Sequence, residues 1–154
     1  MSFYYSIPLV VTAELAEAQR LLGKEILRIL DYYQEDGAKS IAQIEQALAN
    51  GDPSAMVLPA HTLKGESRQF GAARLGDIAE AIENAARNCV EHHRKPDEVA
   101  VEVAMLRGCF TETLLAFGRT APAIPHIPPP APAASLRSIP LSRNNRTFGR
   151  RAAE

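Results

Sequence analysis

The sequence has no tryptophan, only two cysteines and no long apolar run, and each shortage excludes a class of protein. A membrane-spanning helix needs roughly 18 or more apolar residues in succession, and no stretch approaches that length. Cys89 and Cys109 form no Cys-x-x-Cys pair, so neither a disulfide scaffold nor a conventional zinc site is expected. The apolar stretch from Ile7 to Val11 lacks the basic flank and cleavage site of a secretion signal. We therefore expect a cytoplasmic protein with reduced thiols and no membrane association.

The chain also lacks a nucleotide-binding loop and an overall excess of charge. It contains neither GxxxxGK[ST] nor GxGxxG, the motifs that hold nucleotide phosphates, so no kinase activity of its own is expected. Residues 1–119 hold 12 Lys/Arg and 17 Asp/Glu, whereas residues 120–154 hold five Arg and one Glu. A nucleic-acid-binding protein would carry its basic residues on the folded part, so no nucleic-acid partner is expected.

Helical periodicity dominates the acidic part of the chain, and no segment alternates with period two. Short connections between amphipathic helices predict an all-α fold, namely an antiparallel four-helix bundle. A short N-terminal helix, capped by Thr12, would precede it. The second helix covers residues 24–50 and includes Gly37, which is either a weak point or a close-packing site. Asp52 as N-cap and Pro53 at the first helical position begin the third helix.

Two further helices, over residues 72–93 and 99–117, complete a predicted bundle domain of residues 1–119. The composition then changes, because seven of the eleven prolines lie between positions 122 and 140 and four arginines follow them. Such a segment cannot bury enough apolar surface to fold alone. We interpret residues 120–154 as a flexible, Pro-rich, basic tail that is disordered, with partner binding as the alternative.

The third helix carries the run Ala60-His61-Thr62-Leu63-Lys64-Gly65, which places a histidine, a lysine and a glycine on one side. By helical geometry Arg68 shares this side, together with Val57 and Leu58, which are candidate docking residues. The opposite side carries the residues that should enter the core: Met56, Leu63, Ser67 and Phe70. A glycine inside a helix costs about 1 kcal/mol relative to alanine, which indicates a steric reason. The reason we infer is access to the imidazole.

This grouping suits phosphoryl transfer. A neutral imidazole is nucleophilic near pH 7 and can accept a phosphoryl group on nitrogen. A lysine beside it would stabilise the charge on the phosphoryl oxygens. We therefore predict His61 as the phosphoacceptor, Lys64 as the stabilising cation and Gly65 as the opening for a partner. Because the chain lacks a nucleotide site, the donor must be an activated phosphoryl group on another protein.

The run around His61 resembles the signature of the histidine phosphotransfer (HPt) domain family. The similarity spans roughly residues 10–118 and continues in Ser67, Phe70-Gly71-Ala72, Leu75 and Ile82-Glu83. The resemblance implies a four-helix bundle with a short N-terminal helix, and phosphorylation of His61 through Nε2. It implies response-regulator receiver domains and a hybrid sensor kinase as partners. It further implies that the chain acts as a monomer without a cofactor, because the Mg²⁺ for the step belongs to the receiver.

Two residues depart from the family pattern. Glu66 stands where a small residue is more usual, and helical geometry predicts that it points away from His61. Pro59 lies inside the helix, where it removes a hydrogen bond and is expected to bend the entry to the site.

We therefore predict a phosphocarrier, not an enzyme, that relays a phosphoryl group between receiver aspartates in a two-component phosphorelay. The alternative is a module with the same fold that binds and sequesters a receiver without transfer. A third interpretation, metal binding by Cys89, His92 and His93, is weak. Adjacent histidines project about 100° apart on a helix and do not readily converge on one ion.

Overall fold

The computed structural model describes residues 2–119 together with Pro122 and Ile124, and these residues contain helices and no strand. The α-helices are α1 Ser2–Tyr5, α2 Thr12–Leu22, α3 Ile26–Ala49, α4 Pro53–Gln69, α5 Ala73–Glu91 and α6 Ala100–Ala116. The predicted all-α fold is confirmed. None of the described helices is both long and apolar enough to cross a bilayer. Apart from Pro122 and Ile124, the tail proposed for residues 120–154 lies outside the described residues.

Helices α3 to α6 form an antiparallel four-helix bundle. Helix α4 packs most extensively against α5 and α3, and α6 closes the bundle against α5 and α3. Arg107 in α6 binds Glu45 late in α3, whereas Arg119 after α6 binds Asp31 early in α3, so these two helices run in opposite directions. The apolar stripes meet in one core, whose largest buried side chains include Tyr33, Phe70, Phe110, Ile41, Ile44 and Met56.

A capped turn fixes where α4 begins. The Asp52 carboxylate accepts a hydrogen bond from the backbone N–H of Ala55 at 3.1 Å, and Pro53 occupies the first helical position, as predicted. The turn before it contains Gly51 at φ +63°, a left-handed conformation that glycine adopts without steric cost. These local signals place His61 about two turns into α4.

The connection between α4 and α5 is tight because it contains Gly71 at φ +74°. A Cβ there would lie 2.8 Å from the carbonyl oxygen of Val11 and 2.9 Å from Cβ of Glu14. The backbone N–H of Val11 also donates to the Gly71 carbonyl at 2.8 Å. Glycine is therefore required, and the start of α2 is held against the α4–α5 hairpin.

Gly37, which the sequence predicted to be either a weak point or a close-packing site, is a close-packing site. A Cβ at this position would lie 2.7 Å from Cε2 of Phe110, which is fully buried. One turn earlier, the Tyr33 hydroxyl is 2.9 Å from Oγ of Ser67 in the core. The small residue at position 67 thus lets α3 approach the core side of α4, away from His61.

The N-terminal region differs from the prediction in two respects. Helix α1 adds a turn that the sequence pattern did not reveal, and Arg74 fixes the loop after it by donating from Nε to the Ile7 carbonyl at 3.0 Å. The prediction that Thr12 caps α2 is wrong, because Val11 occupies the cap position and no side chain caps the helix. The hydrogen bond from Val11 to Gly71 fixes the helix start instead.

Candidate functional site

The two faces predicted for α4 are confirmed. The Met56, Leu63, Ser67 and Phe70 side chains are buried, whereas the His61 side chain is 58% exposed. Gly65 is exposed, and a Cβ built on it would meet open space. Pro59 is buried, and α4 continues through it from Pro53 to Gln69 without interruption. The helix therefore presents His61 to solvent next to a gap in its own surface.

Glu83 on α5 lies directly opposite the histidine. Its Oε1 is 3.0 Å from Nδ1 of His61, and its Oε2 is 2.7 Å from Nζ of Lys64. Arg87, one turn further along α5, contacts the same Oε1 at 2.8 Å. Only 4% of the Glu83 side chain is exposed. A buried carboxylate is thus shared by the imidazole, the ammonium and a guanidinium.

The charge of Glu83 determines the tautomer of His61. Burial alone would raise the pKa of the Glu83 carboxyl, but contacts with Lys64, Arg87 and His61 outweigh burial and lower this pKa to about 2. Glu83 is therefore ionised at neutral pH and can only accept hydrogen bonds. Nδ1 of His61 must then donate, and the neutral ring carries its lone pair on Nε2. Nε2 is consequently the ring nitrogen that is free to form a bond.

The antiparallel hairpin explains why these side chains meet. Because α4 and α5 are antiparallel, a residue one turn earlier in α4 faces a residue one turn later in α5. Charged residues spaced three or four apart on both helices therefore form a row of ion pairs, here called the ladder. The ladder consists of Arg68 with Asp77 and Glu80, Lys64 with Glu80 and Glu83, and His61 with Glu83. The line of contact between α4 and α5 that carries this ladder is called the α4–α5 seam. The Lys64 side chain is only 19% exposed, because it lies along this seam rather than in solvent.

The three candidate docking residues differ in their surroundings. Leu58 is 71% exposed beside His61, whereas Val57 is half-buried against the core. Val57 lines a shallow cleft of about 300 Å³ with Ser54, Arg87, Val90 and Glu91. Arg68 forms ion pairs with Asp77 and Glu80 of its own chain. The apolar surface next to His61 therefore comes from Leu58 on one side and from this cleft on the other.

Glu66 does not contact the histidine. It lies between α4 and α3, and its Oε2 is buried without a hydrogen-bond partner among the described residues. Burial raises the pKa of its carboxyl, and the charge of Asp36 raises it further. The departure from a small residue at this position thus affects the α3–α4 interface.

Sequence reasoning missed Glu83 and Arg87 as members of the site. Glu83 belongs to the quoted family motif, but its role was not assigned, and Arg87 was not noted. The available signal was the short connection after α4, since an antiparallel hairpin pairs positions before the turn with positions equally far beyond it. Counting back from Gly71 to His61 and forward by a similar number of residues reaches Glu83.

The residues of the metal-binding interpretation do not converge. The Cys89 thiol is buried, 3.5 Å from the Lys95 carbonyl oxygen, and Nδ1 of His92 is 2.9 Å from the Asn88 carbonyl of its own helix. Across the described part of the chain, no group of three or more His, Cys, Asp or Glu residues is placed to hold a metal ion.

Comparison with known families identifies the family to which the fold belongs. The model of the Hpt domain family matches residues 28–116, more than half of the 154-residue chain, and the matched segment includes both helices of the site. No curated protein and no solved structure gives a significant match. Hpt domains are phosphocarrier modules that transfer phosphoryl groups through histidine and interact with receiver domains and kinases in phosphorelays. The chain therefore belongs to the Hpt domain family.

Proposed function

We propose that this chain is a phosphocarrier in which Nε2 of His61 takes a phosphoryl group from one receiver-domain aspartate and passes it to another. The observation that carries the proposal is the contact of Nδ1 of His61 with the buried carboxylate of Glu83 at 3.0 Å. This contact orients the ring and reserves Nε2 for the nucleophilic role. The exposure of the ring beside Gly65 leaves room for the active site of a partner.

The chemistry is balanced in both directions. In the loading step, Nε2 attacks the phosphorus of an aspartyl phosphate, the N–P bond forms, and the P–O bond breaks with its electron pair left on the aspartate. The ring becomes positively charged while its Nδ1 proton stays hydrogen-bonded to Glu83, whose negative charge stabilises it. In the return step a carboxylate oxygen of a receiver aspartate attacks the phosphorus, a P–O bond forms, and the P–N bond breaks with its electron pair left on Nε2. The ring leaves as a neutral imidazole that keeps its Nδ1 proton. It is a far better leaving group than an imidazolate would be.

Lys64 has the role of neutralising the negative charge on the phosphoryl oxygens. It lies three residues from His61 on the same face of α4, and its flexible stem allows Nζ to move from Glu83 towards oxygens bound at Nε2. Phosphoryl transfer depends mainly on positioning and on neutralising these oxygens. The chain is assigned no metal of its own, because the Mg²⁺ is expected on the receiver.

The test is transfer from a receiver labelled with ³²P-phosphate on its aspartate. The wild-type chain should acquire acid-labile label, and His61→Gln should acquire none. His92→Gln is the matched control, because it removes another exposed histidine outside the proposed site and should be labelled like the wild type. Equal labelling of His61→Gln and the wild type, or labelling of neither, would contradict the proposal.

A receiver-binding module without transfer is the second candidate, and it rests on the exposed Leu58 beside the cleft at Val57. Binding of a receiver should be lost in Leu58→Asp under both candidates. Only the sequestering candidate expects the output of the receiver to be unchanged by His61→Gln. Binding measured by calorimetry, with receiver output assayed in parallel, separates the two.

A further inference from the structure

Arg68 lies along α5, where two carboxylates hold its guanidinium although 43% of its side chain is exposed. Its two terminal nitrogens contact Glu80 at 2.7 and 3.3 Å, and one of them also contacts Asp77 at 3.2 Å. Its stem crosses Gly76, where an added Cβ would lie 3.0 Å from Cγ of Arg68. The missing side chain at position 76 therefore provides the groove in which Arg68 lies flat against α5.

Glu80 stands between two cations. Its Oε1 is 3.3 Å from Arg68 and 3.9 Å from Nζ of Lys64, while the same Nζ is 2.7 Å from Glu83. The planar guanidinium binds a carboxylate through two parallel N–H groups, whereas an ammonium is a mobile point charge. Arg68 thus holds the carboxylate in a position from which it reaches Lys64 only through a long ion pair of 3.9 Å.

We propose that Arg68 is a positioning residue for Lys64. By binding Glu80, it prevents this carboxylate from drawing the ammonium one turn along α5, away from His61. Lys64 then stays near Glu83 and Nε2, where an incoming phosphoryl group needs it. The inference rests on the proposed function, and it gives Arg68 a role within its own chain rather than in docking.

The first test uses phosphoramidate, a small donor that cannot depend on protein docking. Nε2 of His61 attacks its phosphorus, the N–P bond to the ring forms, and the original P–N bond breaks as ammonia leaves. Arg68→Met should slow labelling of His61 by roughly tenfold, because the stabilising cation is misplaced. Removing the competing carboxylate as well, in Arg68→Met/Glu80→Gln, should bring the rate to within about twofold of Glu80→Gln alone.

Asp77 provides the matched control. It also binds Arg68, but no ion pair joins it to Lys64, so Arg68→Met/Asp77→Asn should stay as slow as Arg68→Met. Rescue by both second substitutions, or by neither, would overturn the inference, as would an unchanged rate in Arg68→Met. A loss confined to transfer from the receiver would instead assign Arg68 to docking and likewise overturn it.

A crystal structure of Arg68→Met decides the inference without any phosphoryl transfer. The distance between Nζ of Lys64 and the Glu80 carboxylate should fall from 3.9 Å to ion-pair contact at about 2.8 Å. A Lys64 that remains on Glu83 would overturn the positioning role. If the wild type takes no label from phosphoramidate or from a receiver, the proposed function fails, and this distance still reports whether Arg68 controls Lys64.

Discussion

At the scale of single residues, the charge of Glu83 depends on its neighbours, and the tautomer of His61 depends on that charge. Without partners, a carboxyl buried to this extent would resist ionisation. Lys64 and Arg87 reverse that tendency, and the resulting anion fixes the proton of the ring on Nδ1. One side chain thus joins the electrostatics of the α4–α5 seam to the chemistry proposed for Nε2.

The same contacts predict a pH-dependent stability. The pKa of Glu83 falls from an ordinary 4.5 to about 2 on folding, so its contribution is present above about pH 4.5 and is lost as pH falls towards 2. Glu83→Gln should lower the free energy of unfolding by about 2 kcal/mol at pH 7, and the difference should shrink in acid. Urea unfolding at several pH values measures this.

The control for that series is Glu80→Gln. Glu80 is also paired with cations, but its side chain is 40% exposed, so its loss should cost under about 1 kcal/mol. A difference between the wild type and Glu83→Gln that does not change with pH would show that shape, rather than charge, accounts for the effect.

Glu66 predicts the opposite trend. Burial, followed by the charge of Asp36, raises the pKa of Glu66, so its ionised form costs stability at neutral pH and this cost disappears as pH falls below the unfolded value. Glu66→Met removes a buried oxygen without a partner and should stabilise the protein by about 1 kcal/mol at pH 7. Melting temperatures should show a larger gain at pH 7 than at pH 4, because protonation removes the cost of the buried charge but leaves the buried oxygen without a partner. A gain of equal size at both values would contradict this reading.

At the scale of the helices, α4 keeps a glycine in its interior at Gly65 without any packing reason, unlike Gly37 in α3. Gly65→Ala should therefore stabilise the helix by about 1 kcal/mol. If the gap serves a partner, the same substitution should slow transfer from a receiver while changing labelling by phosphoramidate much less. Thermal unfolding and the two labelling rates measure both effects.

Gly108 in α6 is the matched control, because a Cβ there also meets open space. Gly108→Ala should gain similar stability with transfer unchanged. If Gly65→Ala transfers as fast as Gly108→Ala, then access is not the reason for glycine at position 65.

The helices also show how far sequence reasoning extends. The two faces of α4 followed from its 3.6-residue period, and its start followed from Asp52 and Pro53, because both are local properties. The partnership of His61 with Glu83 depends on the register between two helices, which no period within one helix specifies. The expected Thr12 cap failed for a related reason, since the contact of Val11 with Gly71, 60 positions away, fixes the start of α2.

For the whole molecule, the site uses only one seam of the bundle, between α4 and α5. Helices α3 and α6 supply the opposite wall of the core through residues such as Tyr33 and Phe110. Substitutions in that wall should change stability, whereas the charged ladder on the seam should govern transfer. Because the site lies on the α4–α5 seam, the C-terminal end of the folded unit can be shortened without disturbing the site.

We predict that the folded unit ends close to residue 119. Arg119 binds Asp31 and donates to the Leu27 carbonyl at 2.9 Å, and Ile124 packs against the core. A chain of residues 1–124 should melt within about 1 °C of the full chain, because it keeps these contacts. A chain of residues 1–118 loses them and should be less stable by about 1–2 kcal/mol.

Thermal unfolding followed by circular dichroism distinguishes the two truncations, and phosphoramidate labelling checks that each keeps its site. Both should label His61 at the rate of the full chain, since the boundary lies at the end of α6 and the site lies on the α4–α5 seam. If residues 1–124 melt well below the full chain, at the temperature of residues 1–118, then the part of the chain beyond 124 contributes to the fold. The proposed division between a bundle and a separate basic tail would then be wrong.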